Sequence, residues 1–142
     1  APREERFRPI RRGSRFIDSF APPAALPSWL TEADLQVYVD AFTASGFRGG
    51  LNWYRARFDS NLEGELALFD GRTIDVPSMF VAGTSDWGVF QVPGAFERMQ
   101  TQVCTRMDGC HLIEGAGHWV MQEKAEETGK LIAAFCRKHR AG

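Results

Sequence analysis

The sequence predicts an α/β chain in which a helical segment is followed by a β-α-β-α unit of a parallel sheet. Three observations carry that expectation. Two short apolar runs, Ser78 to Ala82 and His111 to Ile113, are continuous rather than alternating, as in strands covered on both faces. Each closes on a turn of glycine and short polar residues, Gly83-Thr84-Ser85-Asp86 and Glu114-Gly115-Ala116-Gly117-His118. Stretches of helical periodicity stand before, between and after them. The chain has 142 residues, 44% of them hydrophobic, with 11 Phe and 4 Trp, enough to enclose a core and to exclude wholesale disorder.

Taken in order, the elements are as follows. Arg3, Arg6, Arg8, Arg11, Arg12 and Arg15 crowd the start. A phosphate-binding arm would bring an aromatic stacking platform with it; lacking one, the segment reads as a solvated surface stretch. The prolines of APPAALPS (21–28) exclude a regular helix and make that stretch a connection. Thr31, with Asp34 three residues on, is a helix-start signal, and Leu35, Tyr38, Val39 and Phe42 follow as one apolar stripe that should be buried. Gly46 suits the left-handed residue past a helix end. A hinge at Gly49-Gly50 and a shorter helix from Leu51 to about Phe58 would complete a helical hairpin of the kind that covers something else. The character changes after Gly71, so residues 1–70 form one region and 71–142 another. In the second, a helix over 93–102 separates the two strands. A last helix over 123–139 turns Ala125, Thr128, Leu131, Ile132 and Phe135 inward.

Composition excludes several function classes. A formal charge of -1 and a pI near 6.4 give no overall field for nucleic acid. No apolar run approaches the roughly 18 residues that cross a bilayer. The 3 cysteines, Cys104, Cys110 and Cys136, are odd in number and follow no zinc-site spacing. They are expected to be reduced thiols in a cytoplasmic protein, with Cys136 in the core. The start at Ala1 without Met fits a processed or truncated chain or simple removal of an initiator Met, and APREERFRPIRR has no signal-peptide h-region.

In open parallel sheets, reactive groups collect beyond the carboxyl ends of the strands. Asp86 and His118 stand there, just past the first and second strand. An aspartate so placed can accept the Nδ1 proton of the imidazole and fix its tautomer, leaving Nε2 as a general base. Singly, Asp86 is an ordinary turn residue and His118 an ordinary surface histidine. Together, in that order and at the same sheet end, they match the close of a nucleophile-Asp-His triad.

The segments LPSWLTEADLQVYVDAFTASGFRGGLNWYRARFDSNLE, VPSMFVAGTSD and GAGHWVMQEKAEET resemble soluble epoxide hydrolases of the α/β-hydrolase superfamily, over about Leu26 to His139. GFRGGLNWYR is the more specific stretch; the Asp and His turns occur in many α/β hydrolases. The resemblance implies the end of the lid followed by the C-terminal part of the core, and conversion of an epoxide and water into a vicinal diol. It also implies a detoxifying role with no metal or organic cofactor. Asp86 then resembles the acid of the relay, His118 the water-activating base, and Tyr54 a lid tyrosine bonded to the epoxide oxygen. Spacing alone would make Tyr54 a packing aromatic. Trp119 becomes a candidate pocket wall, and Trp53 a substrate-binding neighbour of Tyr54 or a packing residue.

The same resemblance implies a nucleophilic carboxylate on a strand-to-helix elbow, an upstream His-Gly-x-Pro turn and a second lid tyrosine. None has a counterpart here, and Tyr38 lies on the stripe expected to be buried. The chain is therefore expected to be incomplete, to need the N-terminal half of the same fold as its partner, and to be inactive alone. Two alternatives stay open: a dehalogenase of the same fold, or a non-catalytic interaction module derived from a hydrolase.

Overall fold

The computed structural model describes residues 13, 15–19, 23–57 and 67–140. The arginines from Arg3 to Arg12, and the expected helix end at Phe58, lie outside the described residues. Arg15 is exposed and pairs with Asp18 at 2.8 Å. The chain divides into two units between Val37 and Tyr38, within the first helix.

That helix, α1 (Glu32–Ser45), begins on a reciprocal cap. The Asp34 N–H donates to Thr31 Oγ1 at 3.1 Å, while the Thr31 N–H and hydroxyl donate to Asp34 Oδ2 at 3.1 and 2.6 Å. The Thr31 hydroxyl, then its N–H, hold the Asp34 carboxyl below its ordinary value. Gly46 ends the helix at φ 67, with its N–H on Phe42 O at 2.8 Å. The turn is Gly46-Phe47, not the expected Gly49-Gly50. Phe47 stacks on Phe42 at 4.5 Å, and α2 (Arg48–Arg57) takes both glycines into its first turn. The apolar stripe is also not buried: Tyr38 and Val39 are each 47% exposed and Phe42 40%. In place of a core contact, Tyr38, Val39, Phe42, Thr43 and Phe47 line an open groove.

Two parallel strands follow, β1 (Ser78–Gly83) and β2 (Met107–Ile113), aligned from Met79↔Gly109 to Gly83↔Ile113. The second strand starts earlier than its apolar run because backbone pairing, not side-chain hydrophobicity, sets its beginning. A register shift between Ser78 and Met79 passes over Asp108, which is thereby aimed at the end of the last helix. There Asp108 accepts from Lys138 Nζ and lies 2.8 Å from His139 Nε2; the Lys138 ammonium, then His139, holds its carboxyl below the ordinary value. Covered on both faces the strands are not. Only Ala82, Gly83 and Ile113, at their carboxyl ends, are buried.

The crossover contains a 3-10 turn (Trp87–Phe90), then α3 (Ala95–Arg98) running into a wide turn over Met99–Val103 closed by Cys104 N–H to Met99 O at 2.9 Å. The expected helix over 93–102 is thus present in position, with its second half widened. Phe96 packs edge-on against Phe80 of β1 at 5.5 Å. The last helix divides at Lys124 into α4 (Val120–Glu123) and α5 (Ala125–Lys138). Of the inward face expected for it, Thr128 is buried and Leu131 and Phe135 are half-buried, whereas Ala125 and Ile132 are exposed. Ile113, Ala116 and Val120 form the buried cluster, with Val81 and Leu131 against it. The cysteines are unpaired, and Cys136 is exposed rather than in the core because it lies off the Thr128-Leu131-Phe135 line. Among the described residues no helix is long and apolar enough to cross a membrane.

Candidate active site

The turns after β1 and β2 are stitched together by backbone. Thr84 N–H donates to Ile113 O and Ser85 N–H to Ala116 O, both at 3.0 Å. Gly83 makes this possible: a Cβ there would stand 2.1 Å from Ala116 O and 2.5 Å from Gly117 O. Only glycine lets the loop that carries His118 lie against the end of β1.

Asp86 and His118 meet across this junction, with Nδ1 3.0 Å from Asp86 Oδ1. The same oxygen accepts the Gly88 N–H at 2.8 Å, which caps the 3-10 turn and holds the carboxylate still. The Asp86 side chain is 12% exposed and that of His118 48%. A carboxylate offers only acceptors, so Nδ1 carries the hydrogen of this contact and, in the neutral ring, Nε2 keeps the lone pair. That is the arrangement of an oriented general base.

Two indoles flank the ring. Trp87 stacks on His118 at 5.6 Å and 25°, and Trp119 meets it edge-on at 5.3 Å and 74°. Both are more than half exposed, Trp87 56% and Trp119 59%. Trp119 also serves as the N-cap of α4 without a capping side chain of its own. Glu123 reaches back instead, accepting the Gly117 N–H at 2.7 Å and the Trp119 N–H at 3.0 Å.

Tyr54 and Trp53 lie on α2 with exposed side chains, and neither makes a hydrogen bond or ring contact with Asp86 or His118. Beside them, Arg55 donates to Asn52 Oδ1 at 2.9 Å along the helix. Trp87, Gly83 and Glu123 escaped the sequence reading. Trp87 had a usable signal, its place directly after Asp86; Gly83 and Glu123 had none beyond common turn and helix composition. Among the described residues no group of three or more His, Cys, Asp or Glu side chains is arranged to hold a metal ion.

No protein-family model matches the chain. It is 41% identical over 123 residues to Epoxide hydrolase A of Mycobacterium tuberculosis, covering 84% of this chain and 36% of that protein. It is 38% identical over 125 residues to Epoxide hydrolase 1 of Siraitia grosvenorii, covering 84% of this chain and 39% of that protein. Among solved structures, Epoxide Hydrolase A from Mycobacterium thermoresistibile superposes with a TM-score of 0.75 at 40% identity, over 87% of this chain and 37% of that one. An epoxide hydrolase from an endophytic Streptomyces gives 0.81 at 35% identity, over 90% and 38%. The chain thus spans less than half the length of these relatives. By sequence and by fold it is similar to epoxide hydrolases of the α/β-hydrolase superfamily and matches their C-terminal part.

Proposed function

We propose that this segment supplies the water-activating side of an epoxide hydrolase. The observation that carries the reading is the 3.0 Å contact of His118 Nδ1 with Asp86 Oδ1 beyond the carboxyl ends of two parallel strands. In the proposed reaction a carboxylate outside this chain attacks an epoxide carbon and forms an alkyl-enzyme ester. Tyr54 donates a proton to the ring oxygen as negative charge develops there. His118 Nε2 then takes a proton from water and the hydroxide adds to the ester carbonyl. The acyl C–O bond breaks, the departing alkoxide takes the imidazolium proton, and the proton of the carboxylic acid so formed returns to the Tyr54 phenolate, leaving diol, carboxylate, imidazole and phenol. Asp86 stabilises the imidazolium formed in that step. Trp119 and Trp53 act as pocket walls. Residues 1–70 belong to the lid side and 71–142 to the core side. Free thiols fit a cytoplasmic enzyme that removes reactive epoxides.

The test joins this segment to a nucleophile-bearing half, its own or, as a chimera, that of the 41% identical mycobacterial relative. Styrene oxide should give the diol. His118→Ala should stop turnover with the ester trapped and visible as added protein mass. The chain alone should form no diol, and His118-dependent diol formation by it would contradict the assignment of the nucleophile to another segment.

A further inference from the structure

We infer that Glu123 is a positioning residue for His118, acting through the backbone on both sides of it; the inference rests on the reading of His118 as the base. The Glu123 carboxylate spends one oxygen on each neighbour: Oε2 on the Gly117 N–H at 2.7 Å and Oε1 on the Trp119 N–H at 3.0 Å. Its own N–H returns to Trp119 O at 2.8 Å, so His118 and Trp119 are enclosed in a hydrogen-bonded ring closed by one side chain.

The need for such a clamp is evident from what surrounds the imidazole. The His118 side chain is 48% exposed, and its ring neighbours, Trp87 and Trp119, are themselves more than half exposed. Packing therefore restrains the ring weakly. Asp86 fixes one ring nitrogen but not the backbone that delivers it. The preceding turn passes through Gly115 at φ 70 and through Gly117, both permissive. Charge-assisted bonds from one carboxylate to two consecutive donors remove that freedom where it matters. A simple helix cap would need only the Trp119 donor. The second bond, to Gly117 on the far side of His118, is what a cap does not require.

The test uses the chain in Glu123→Gln form, which leaves a single accepting oxygen for two donors. By proton NMR, the His118 Nδ1 hydrogen bonded to Asp86 should exchange with solvent about tenfold faster or be lost, while β1 and β2 amides keep their protection. Faster exchange at Gly117 and Trp119 with an unchanged ring proton would reduce Glu123 to a cap and overturn the inference. So would no change anywhere. If Glu123→Gln also loses strand protection, Glu123→Asp, one methylene shorter with its charge kept, is read in the same way. A weakened ring proton in that folded variant supports positioning, and an unaltered one overturns it. None of these readouts needs turnover, so an enzyme silent on epoxides would sink the proposed activity and leave the positioning role standing.

Discussion

Asp86 Oδ1 carries two bonds with separate consequences, one to the Gly88 N–H that shapes its own turn and one to the His118 ring. Asp86→Asn keeps an oxygen for both but removes the charge that, in the proposed mechanism, stabilises an imidazolium. On that mechanism, in the segment joined to a nucleophile-bearing half, ester hydrolysis should fall by about 10³-fold or more with alkylation retained. Rapid-quench measurement of the two steps separates these outcomes, and equal losses in both would argue against the relay. Gly83 acts without any side chain. Gly83→Ala introduces a Cβ that would sit 2.1 Å from a backbone oxygen of the His118 loop. Its cost should reach or exceed the roughly 1–3 kcal/mol of ordinary overpacking, read as a lowered Tm with loss of the His118 ring-proton signal. Asp86 and His118 were legible because turn position and chain order are written in the sequence. Gly83 and Glu123 were not, because a close approach and a back-reaching carboxylate exist only once two loops meet.

Among the elements, both ends of α1 are legible in the sequence, whereas the turn after it and the start of α2 are not. The Thr31-Asp34 pair caps α1 as its spacing predicts, since both partners are local. The Asp34 carboxyl is held below its ordinary value, so its contribution is complete above pH about 4 and is lost as pH falls through the lowered value. Hydrogen exchange of the first turn of α1 should accelerate on acidification, and Asp34→Asn should abolish that dependence. The same sign governs Asp108, whose carboxyl is depressed by Lys138 and His139 at the end of α5. Below pH about 4 the last turn of α5 should loosen from β2, and amides of Phe135 to His139 should exchange faster than those of Thr128 to Leu131. An acid-insensitive last turn would show that the cluster does not hold the helix. The glycine pair at 49–50 is not a hinge, because Gly46 and the Phe42–Phe47 stack already make the turn. No hydrophobic pattern announces the start of β2, because Asp108 sits at a register shift.

For the whole molecule, the balance of apolar surface is the deciding quantity. Ala82, Val89, Cys104, Ile113, Ala116 and Val120 are the buried apolar residues among those described, while Tyr38, Val39, Phe42, Trp53 and Trp87 remain substantially exposed. The chain alone should therefore bind an apolar dye and exchange α1 amides far faster than those at the carboxyl ends of the strands. Joining it to a nucleophile-bearing half should suppress the dye signal and protect α1; an unchanged dye signal would mean that these faces stay open. The sequence by itself determined the α/β order of elements, the cap of α1, the two strand-end turns and the kinship carried by its motifs. These depend on local chemistry and on residues close in the chain. Tertiary structure alone decided that the His118 ring meets Asp86 at 3.0 Å, that Gly83 permits the two loops to touch, and that Glu123 closes around His118. It also decided that the helical stripe stays uncovered, because burial depends on which surfaces meet and periodicity states only which surface is available.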